Sequence, residues 1–431
     1  MTRFRRRHSS YTIVHADTLF RCISLSQPFL CIFAMHDARS FVRRFVRSFV
    51  GSPPPTDASL ARARVMAPNP PPDPFVLRGH ATDVQCVSFD ARFGARALET
   101  GDADGVVITW DTRTRREISR ARAHAPTAGA IAMRDIVVRD VSDDDDSAST
   151  SRAVRVTQGK DGSLKFWRRG DGDVGTREAA STNEIPTRAM RTDVNGFCRV
   201  ASDGGDLLAF AMDSRGTIAV RRASSGTLAC AAPPAGSDSD ANDPRVGVAM
   251  CAAFVRSEHV FVGYEDGTVI LWWLNLETGV AELAWRRRTH GETTLCVDVD
   301  AEGVGAVTGG ADGVLVRYVI NIDAREPSKA TVDVVRTHGP YSSVTSASSR
   351  QPGASACAIR GDGKIVACGC WDGKIRVFEY KVKSRGRLLA VLKYHDATVT
   401  DVLFAPDGSF LASAARDGAV ALWNVFPPSK T

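Results

Sequence analysis

One short pattern constrains this chain more than any other: Asp-Gly followed, six residues after the Asp, by an aromatic ring. It occurs at Asp104-Gly105…Trp110, Asp161-Gly162…Trp167, Asp266-Gly267…Trp272, Asp312-Gly313…Tyr318, Asp372-Gly373…Phe378 and Asp417-Gly418…Trp423. Between Gly and ring, apolar residues alternate, as in Val106, Ile108 and Trp110, which reads as a tight turn feeding a short strand. Successive Asp residues of the pattern lie 57, 105, 46, 60 and 45 positions apart. The long gap holds a degenerate copy at Asp213-Ser214-Arg215-Gly216, with Arg221 at the aromatic position. Seven copies at this period predict an all-β, seven-bladed propeller, an architecture that mainly binds other molecules.

The sequence around each turn is patterned too. A His precedes most copies: His80, His124, His290, His338 and His395. A hydroxyl stands four residues before the turn Asp in Thr100, Thr157, Thr308 and Ser413. At these positions the chain resembles the WD-repeat family, where His, Ser/Thr, Asp and Trp form a hydrogen-bonded relay inside each blade. The resemblance implies a relay of His80, Thr100, Asp104 and Trp110 in blade one, and of His124, Thr157, Asp161 and Trp167 in blade two. It implies His290, Thr308, Asp312 and Tyr318 in blade five, and His395, Ser413, Asp417 and Trp423 in blade seven. Blade four has Val262 at the hydroxyl position, and blade six has Cys368 there and ends on Phe378. Packing is expected to hold those two.

The last blade is one strand short. Strands are read at about Val399–Phe404, Phe410–Ala414 and Ala419–Asn424, and the remainder carries two prolines that spoil a strand. Phe75–Arg78 is therefore expected to supply the missing strand and leave no open edge. The predicted organisation is a basic leader over 1–66, a Pro-rich start over 67–74, the propeller over 75–426 and a tail over 427–431. Enlarged loops are read in 140–152, 170–192, 232–244 and 321–356, where Gly, Ser, Pro and Asp concentrate. The run Asp143–Asp146 in the first of them reads as a solvated loop.

Residues 1–65 carry eleven Arg, no Lys and three Asp, a net +8, whereas the whole chain is +6. The remainder is thus about −2, and the basic balance gives no case for nucleic-acid binding by the propeller. The leader is open to three readings: an upstream extension of a natural start at Met66, a transit-like targeting segment, or a disordered arm. There is no apolar run near 18 residues, hence no expected transmembrane helix. Ten Cys without a C-x-x-C pair read as small core residues of a reduced, intracellular protein.

Further segments resemble the G-protein β-subunit-like protein 1 / ASTRA-associated protein 1 family of WD-repeat proteins. They are Pro70–Gly79, Asn195–Arg199, Gly263–Trp272, Ile359-Arg360, Lys364–Ala367, Gly369–Phe378, Leu389–His395 and Leu422–Pro427. The resemblance covers roughly residues 68–428. It implies a non-enzymatic scaffold or adaptor. Such proteins are linked to the co-chaperone (triple-T) assembly that stabilises phosphatidylinositol-3-kinase-related kinases, to the ASTRA assembly, and in plants to cell-to-cell transport. It implies protein partners, a monomeric place in a larger complex, and a nuclear and cytoplasmic location. A second reading is a substrate receptor of a cullin-type ubiquitin ligase, since Trp110-Asp111-Thr112-Arg113 matches its short W-D-x-R pattern.

Catalytic readings fail on spacing. Ser413, His395 and Asp417 have triad chemistry, but the trio recurs in several blades and no G-x-S-x-G elbow accompanies it. There is no phosphate-binding G-x-x-x-x-G-K-[ST] loop, no H-E-x-x-H and no Cys/His metal spacing, so no cofactor is expected. The candidate protein-binding residues are Tyr264, Trp371 and Arg416, each read as exposed beside a turn Asp, together with Arg113.

Overall fold

The computed structural model describes residues 73–139, 151–168, 186–192, 198–232, 246–339, 353–380 and 386–426. The leader over 1–66, most of the 67–74 segment, the Asp143–Asp146 run and the 427–431 tail lie outside the described residues.

Every strand-forming copy of the Asp-Gly pattern sits in the middle of an antiparallel meander. Five sheets of four strands are named here by their turn Asp. The Asp104 sheet comprises Val84–Phe89, Ala97–Asp102, Val106–Asp111 and Arg116–Arg122. The Asp161 sheet comprises Ala132–Arg139, Ser151–Gln158, Ser163–Arg168 and Arg188–Arg191. The Asp312 sheet comprises Thr294–Val299, Gly305–Gly310, Leu315–Ile322 and Ala330–His338. The Asp372 sheet comprises Ala354–Ile359, Ile365–Cys370, Lys374–Glu379 and Leu388–Lys393. The Asp417 sheet holds Val399–Phe404, Leu411–Ala415, Ala419–Trp423 and, from the far end of the sequence, Phe75–Arg78.

The sixth sheet is different. Two meanders, Ala201–Ala232 and Ala249–Arg288, form one eight-stranded sheet. Their strands pair with one another through a parallel bridge of Ala231 with Val280 on the outermost strands. The expected seven separate blades thus stand in the structure as five sheets plus this double one. Two outer strands also fall within expected loops: Arg188–Arg191 and Ala330–His338. An outer strand meets water on one face, so its apolar pattern is thin and its sequence looks like a loop.

The turn glycines fit because of where they lie. Gly105 has φ 76°, and a Cβ there would run into the backbone carbonyl of His124. Only Gly allows both that conformation and that approach. Gly267 and Gly373 meet the carbonyls of His290 and His395 in the same way.

Apolar faces bind each sheet to the next. Val84, Leu98, Ile108 and Trp110 pack on Ala412, Val420 and Leu422, which joins the first sheet to the last. Leu77, on the N-terminal strand, lies in that same cluster and is only 2% exposed. Its strand pairs in register with Ala419–Leu422, from Phe75 opposite Leu422 to Arg78 opposite Ala419. The Asp372 sheet packs on the Asp417 sheet through Ile375, Val377, Phe404 and Leu411. Arg360 adds a polar fastener, its guanidinium holding the Phe426 carbonyl and both oxygens of Asp362. The ring therefore closes by strand pairing, apolar packing and a capped C-terminal segment together.

Candidate functional site

The relay is assembled from a hydroxyl and a ring on adjacent strands of one sheet, the Asp of the turn region and a His that precedes the sheet's innermost strand or lies ahead of its turn. In the Asp417 sheet, Trp423 Nε1–H donates to Ser413 Oγ at 2.9 Å. His395 Nε2 lies 2.8 Å from that hydroxyl, and His395 Nδ1 lies 2.9 Å from Asp417 Oδ2. One polarity satisfies all four groups: indole to hydroxyl, hydroxyl to Nε2, and Nδ1–H to carboxylate. In the Asp312 sheet, His290 stands 2.8 Å from Thr308 Oγ1 and 3.3 Å from Asp312. Tyr318 takes the ring position, its hydroxyl 2.8 Å from Thr308 and 2.7 Å from Thr289. Burial pushes the Asp312 carboxyl up, but the His290 imidazole and the Gly291 amide outweigh it and hold it below the usual carboxylate range.

Two relays differ from their expected membership. In the Asp104 sheet, His80 meets Thr100 at 2.6 Å and Trp110 donates to the same hydroxyl at 2.8 Å. The carboxylate, however, is Asp102, 2.8 Å from His80 Nδ1, and not Asp104. Thr100 and Asp102 are two apart on an extended strand, so both point inward. Asp102 also accepts the Asp104 and Val106 amides and thereby shapes the turn itself. In the Asp161 sheet, His124 meets Thr157 at 2.9 Å, and Trp167 donates to Thr157 at 2.9 Å. His124 reaches Asp161 only through Ser163, by steps of 3.1 and 2.6 Å. Burial and the nearby Lys165 push this imidazole down to about 4.

Tyr264 is another correction. It is fully buried, and its hydroxyl accepts Trp272 Nε1–H at 3.1 Å. It stands two residues before its turn Asp, the place Asp102 has in the first sheet, and so faces the blade interior. It supplies the hydroxyl that Val262 cannot. In the Asp372 sheet the His338 ring stacks on Phe378 at 4.8 Å, and burial with Arg336 and Arg317 nearby pushes His338 down to about 4. Cys368 there lies 3.9 Å from Cys370, sulfur to sulfur.

The residue just before the turn Asp has a different setting in six of the seven copies. Its backbone N–H donates to the carbonyl preceding the innermost strand of the same sheet. This holds for Ala103 to Asp83, Lys160 to Ala128, Glu265 to Val248, Ala311 to Thr293, Trp371 to Gly353 and Arg416 to Thr398. Six side chains are thereby fixed at equivalent places on one rim of the ring. Trp371 and Arg416 are neighbours on it, and Thr398 Oγ1 donates to the Trp371 carbonyl at 3.4 Å. The Trp371 ring lies over Gly353 and is 42% exposed. Arg416 is exposed beside it. Arg113 is exposed as well, but its turn joins the third and fourth strands of its sheet and so lies at the opposite rim. Trp110 and Asp111 are buried; Asp111 accepts the Arg113 and Thr114 amides.

The innermost strands surround a cavity of about 380 Å³ reached by Arg134, Arg199, Asp298 and Asp401. Sequence reasoning missed these four. Their signal is a charge on alternate positions of short apolar strands, as in Thr294–Val299 and Val399–Phe404. Arg199, just ahead of the Ala201–Ser202 strand, reaches Asp401 at 2.8 Å and the carbonyls of Gln85 and Thr400. Among the described residues, no group of His, Cys, Asp and Glu is placed to hold a metal ion, and no helix is long and apolar enough to cross a membrane.

A family model described as "WD domain, G-beta repeat" matches residues 335–379 and 386–424. The chain is 26% identical over 371 residues to guanine nucleotide-binding protein subunit beta-like protein 1 of Mus musculus, covering 83% of this chain and 98% of that one. It is 24% identical to ASTRA-associated protein 1 of Verticillium alfalfae, covering 86% and 96% of the two chains. Against ASTRA-associated protein 1 of Schizosaccharomyces japonicus the identity is 24%, covering 82% and 98%. Among solved structures, the β-propeller domain of Cps50 (Swd1) from Myceliophteria thermophila superposes with a TM-score of 0.62 at 13% identity, covering 82% of this chain and 99% of that one. That likeness establishes the fold, an all-β WD40 propeller.

Proposed function

We propose that this chain, which carries WD40 repeats and is similar over most of its length to proteins named guanine nucleotide-binding protein subunit beta-like protein 1 and ASTRA-associated protein 1, is a non-catalytic adaptor that holds other proteins on the rim bearing Trp371 and Arg416. The observation that carries the reading is the pair itself. A tryptophan left 42% exposed is fixed by its backbone beside an exposed arginine. Exposed Trp and Arg on a rigid support are the residue types that anchor protein interfaces. Side-chain entropy lost on binding is small when the scaffold is already ordered.

We read the eight-stranded sheet as two blades, which makes the ring seven-bladed. An apolar cluster between its halves supports this, with Ile218 and Val220 packed on Val262, Ile270 and Trp272. The proposed assembly is the co-chaperone complex of the triple-T or ASTRA type that stabilises phosphatidylinositol-3-kinase-related kinases, acting in nucleus and cytoplasm, with residues 1–66 a leader outside the propeller. Depleting the protein is expected to lower the steady-state level of those kinases. Unchanged levels would count against the client, though not against the scaffold. The ubiquitin-ligase reading has less support, because Trp110 and Asp111 are committed within their own blade and leave Arg113 alone to meet an adaptor.

A further inference from the structure

The channel at the centre of the ring holds two arginines and two aspartates, and they are not paired evenly. Arg199 and Asp401 satisfy one another at 2.8 Å, and Asp401 also accepts the Val87 amide at 3.0 Å. Arg134 has no such partner. Its Nη1 donates to the carbonyl of Met133 at 2.8 Å, and no carboxylate among the described residues lies within ion-pair distance. Asp298 accepts the Ile359 amide at 2.7 Å and likewise has no cation within that distance. Both side chains line the same cavity of about 380 Å³, alongside the apolar Cys251, Phe254 and Val297.

A guanidinium carries five N–H donors in a planar fork and stays protonated. With one donor spent, the fork of Arg134 remains available for a bidentate oxyanion. Arg134 is half-buried and feels the carboxylates of Asp401 and Asp298 across the cavity without bonding to either, so a bound oxyanion supplies the direct charge-assisted hydrogen bonds that these do not. The carboxylate of Asp298 then sets the selectivity, since it repels any anion that has no proton to offer. We propose that the channel binds hydrogen phosphate, with Arg134 gripping two oxygens and Asp298 accepting the remaining P–O–H. At about 30 Å³ per water, the cavity admits roughly a dozen water-sized units, ample for this ion with part of its hydration shell. Sulfate lacks the proton, and so does a phosphoserine monoester well above its second pKa of about 6; both are disfavoured by Asp298.

The test is calorimetric titration of the full-length protein at pH 7.5 and constant ionic strength with inorganic phosphate, sulfate and a short phosphoserine peptide. Phosphate is expected to bind at least tenfold more tightly than sulfate or the peptide. R134Q is expected to weaken phosphate at least tenfold while its melting temperature without phosphate stays level, because Arg134 makes no ion pair to lose. R134K keeps the charge but loses the fork, and serves where R134Q folds poorly; it too is expected to weaken phosphate about tenfold. D298N is expected to collapse the preference over sulfate. Equal binding of phosphate and sulfate by the wild type overturns the proposal. So does undiminished phosphate binding by R134Q or R134K, or tighter binding of the peptide than of free phosphate.

Discussion

Replacing Ser413 by Ala removes one oxygen that two buried groups depend on. Trp423 Nε1 and His395 Nε2 both bond to Ser413 Oγ, at 2.9 and 2.8 Å, and Ser413 is fully buried. The substitution strands both nitrogens in the buried interior of the sheet. An orphaned buried polar group costs about 1–3 kcal/mol. Two of them, partly relieved by relaxation of the imidazole, give a loss of about 2–5 kcal/mol. Unfolding entropy of roughly 2.1 cal/mol/K per residue, over the Pro70–Thr431 unit, converts this to a fall in melting temperature of roughly 3–7 °C. Ser413→Thr keeps the oxygen, as Thr100 and Thr308 do in their sheets, and is expected to cost less than about 1 kcal/mol. Differential scanning calorimetry of the two variants, with urea midpoints as a second reading, decides it. If Ser413→Ala melts within about 1 °C of the wild type, the relay holds nothing together and the reasoning fails.

Other outcomes follow from the same geometry. Leu77→Ala hollows the seam between the Asp104 and Asp417 sheets and is expected to cost about 2–5 kcal/mol. Deleting Phe75–Arg78 exposes a full strand edge and is expected to lower the melting temperature further still; an unchanged curve would rule out closure by this strand. Tyr264→Phe leaves Trp272 Nε1–H unpaired and is expected to cost about 1–3 kcal/mol by urea titration, whereas a rim residue with an exposed hydroxyl would cost almost nothing. His124 titrates in the folded protein near 4, against about 6.5 unfolded. Because folding lowers its pKa, its contribution is complete above about pH 6.5 and is lost as pH falls toward 4. Urea midpoints of the wild type are expected to fall through that window, and those of His124→Gln to fall less steeply.

The turns, the closing strand and most relay members were legible because each is fixed by local chemistry at constant spacing. An Asp-Gly turn needs its glycine, and a strand that ends on Trp423 with prolines beyond leaves an unfilled edge. Asp102 was harder to see, since the sequence offers two carboxylates two residues apart and only strand direction chooses between them. Tyr264 looked exposed because it adjoins a turn, yet alternation sends its side chain inward beside Val262. The outer strands Arg188–Arg191 and Ala330–His338 bury little and so carry little pattern. The four channel charges come from four separate segments of the chain, brought together only by closure of the ring, and no local window of sequence contains them.

Affinity purification of tagged full-length protein with mass spectrometry, comparing the wild type with the double variant Trp371→Ala, Arg416→Glu, tests the adaptor claim most directly. The account predicts that the wild type recovers co-chaperone subunits or kinase-related clients, and that the double variant loses them while melting at the same temperature. Equal recovery by both proteins would contradict it and move the interface away from this rim.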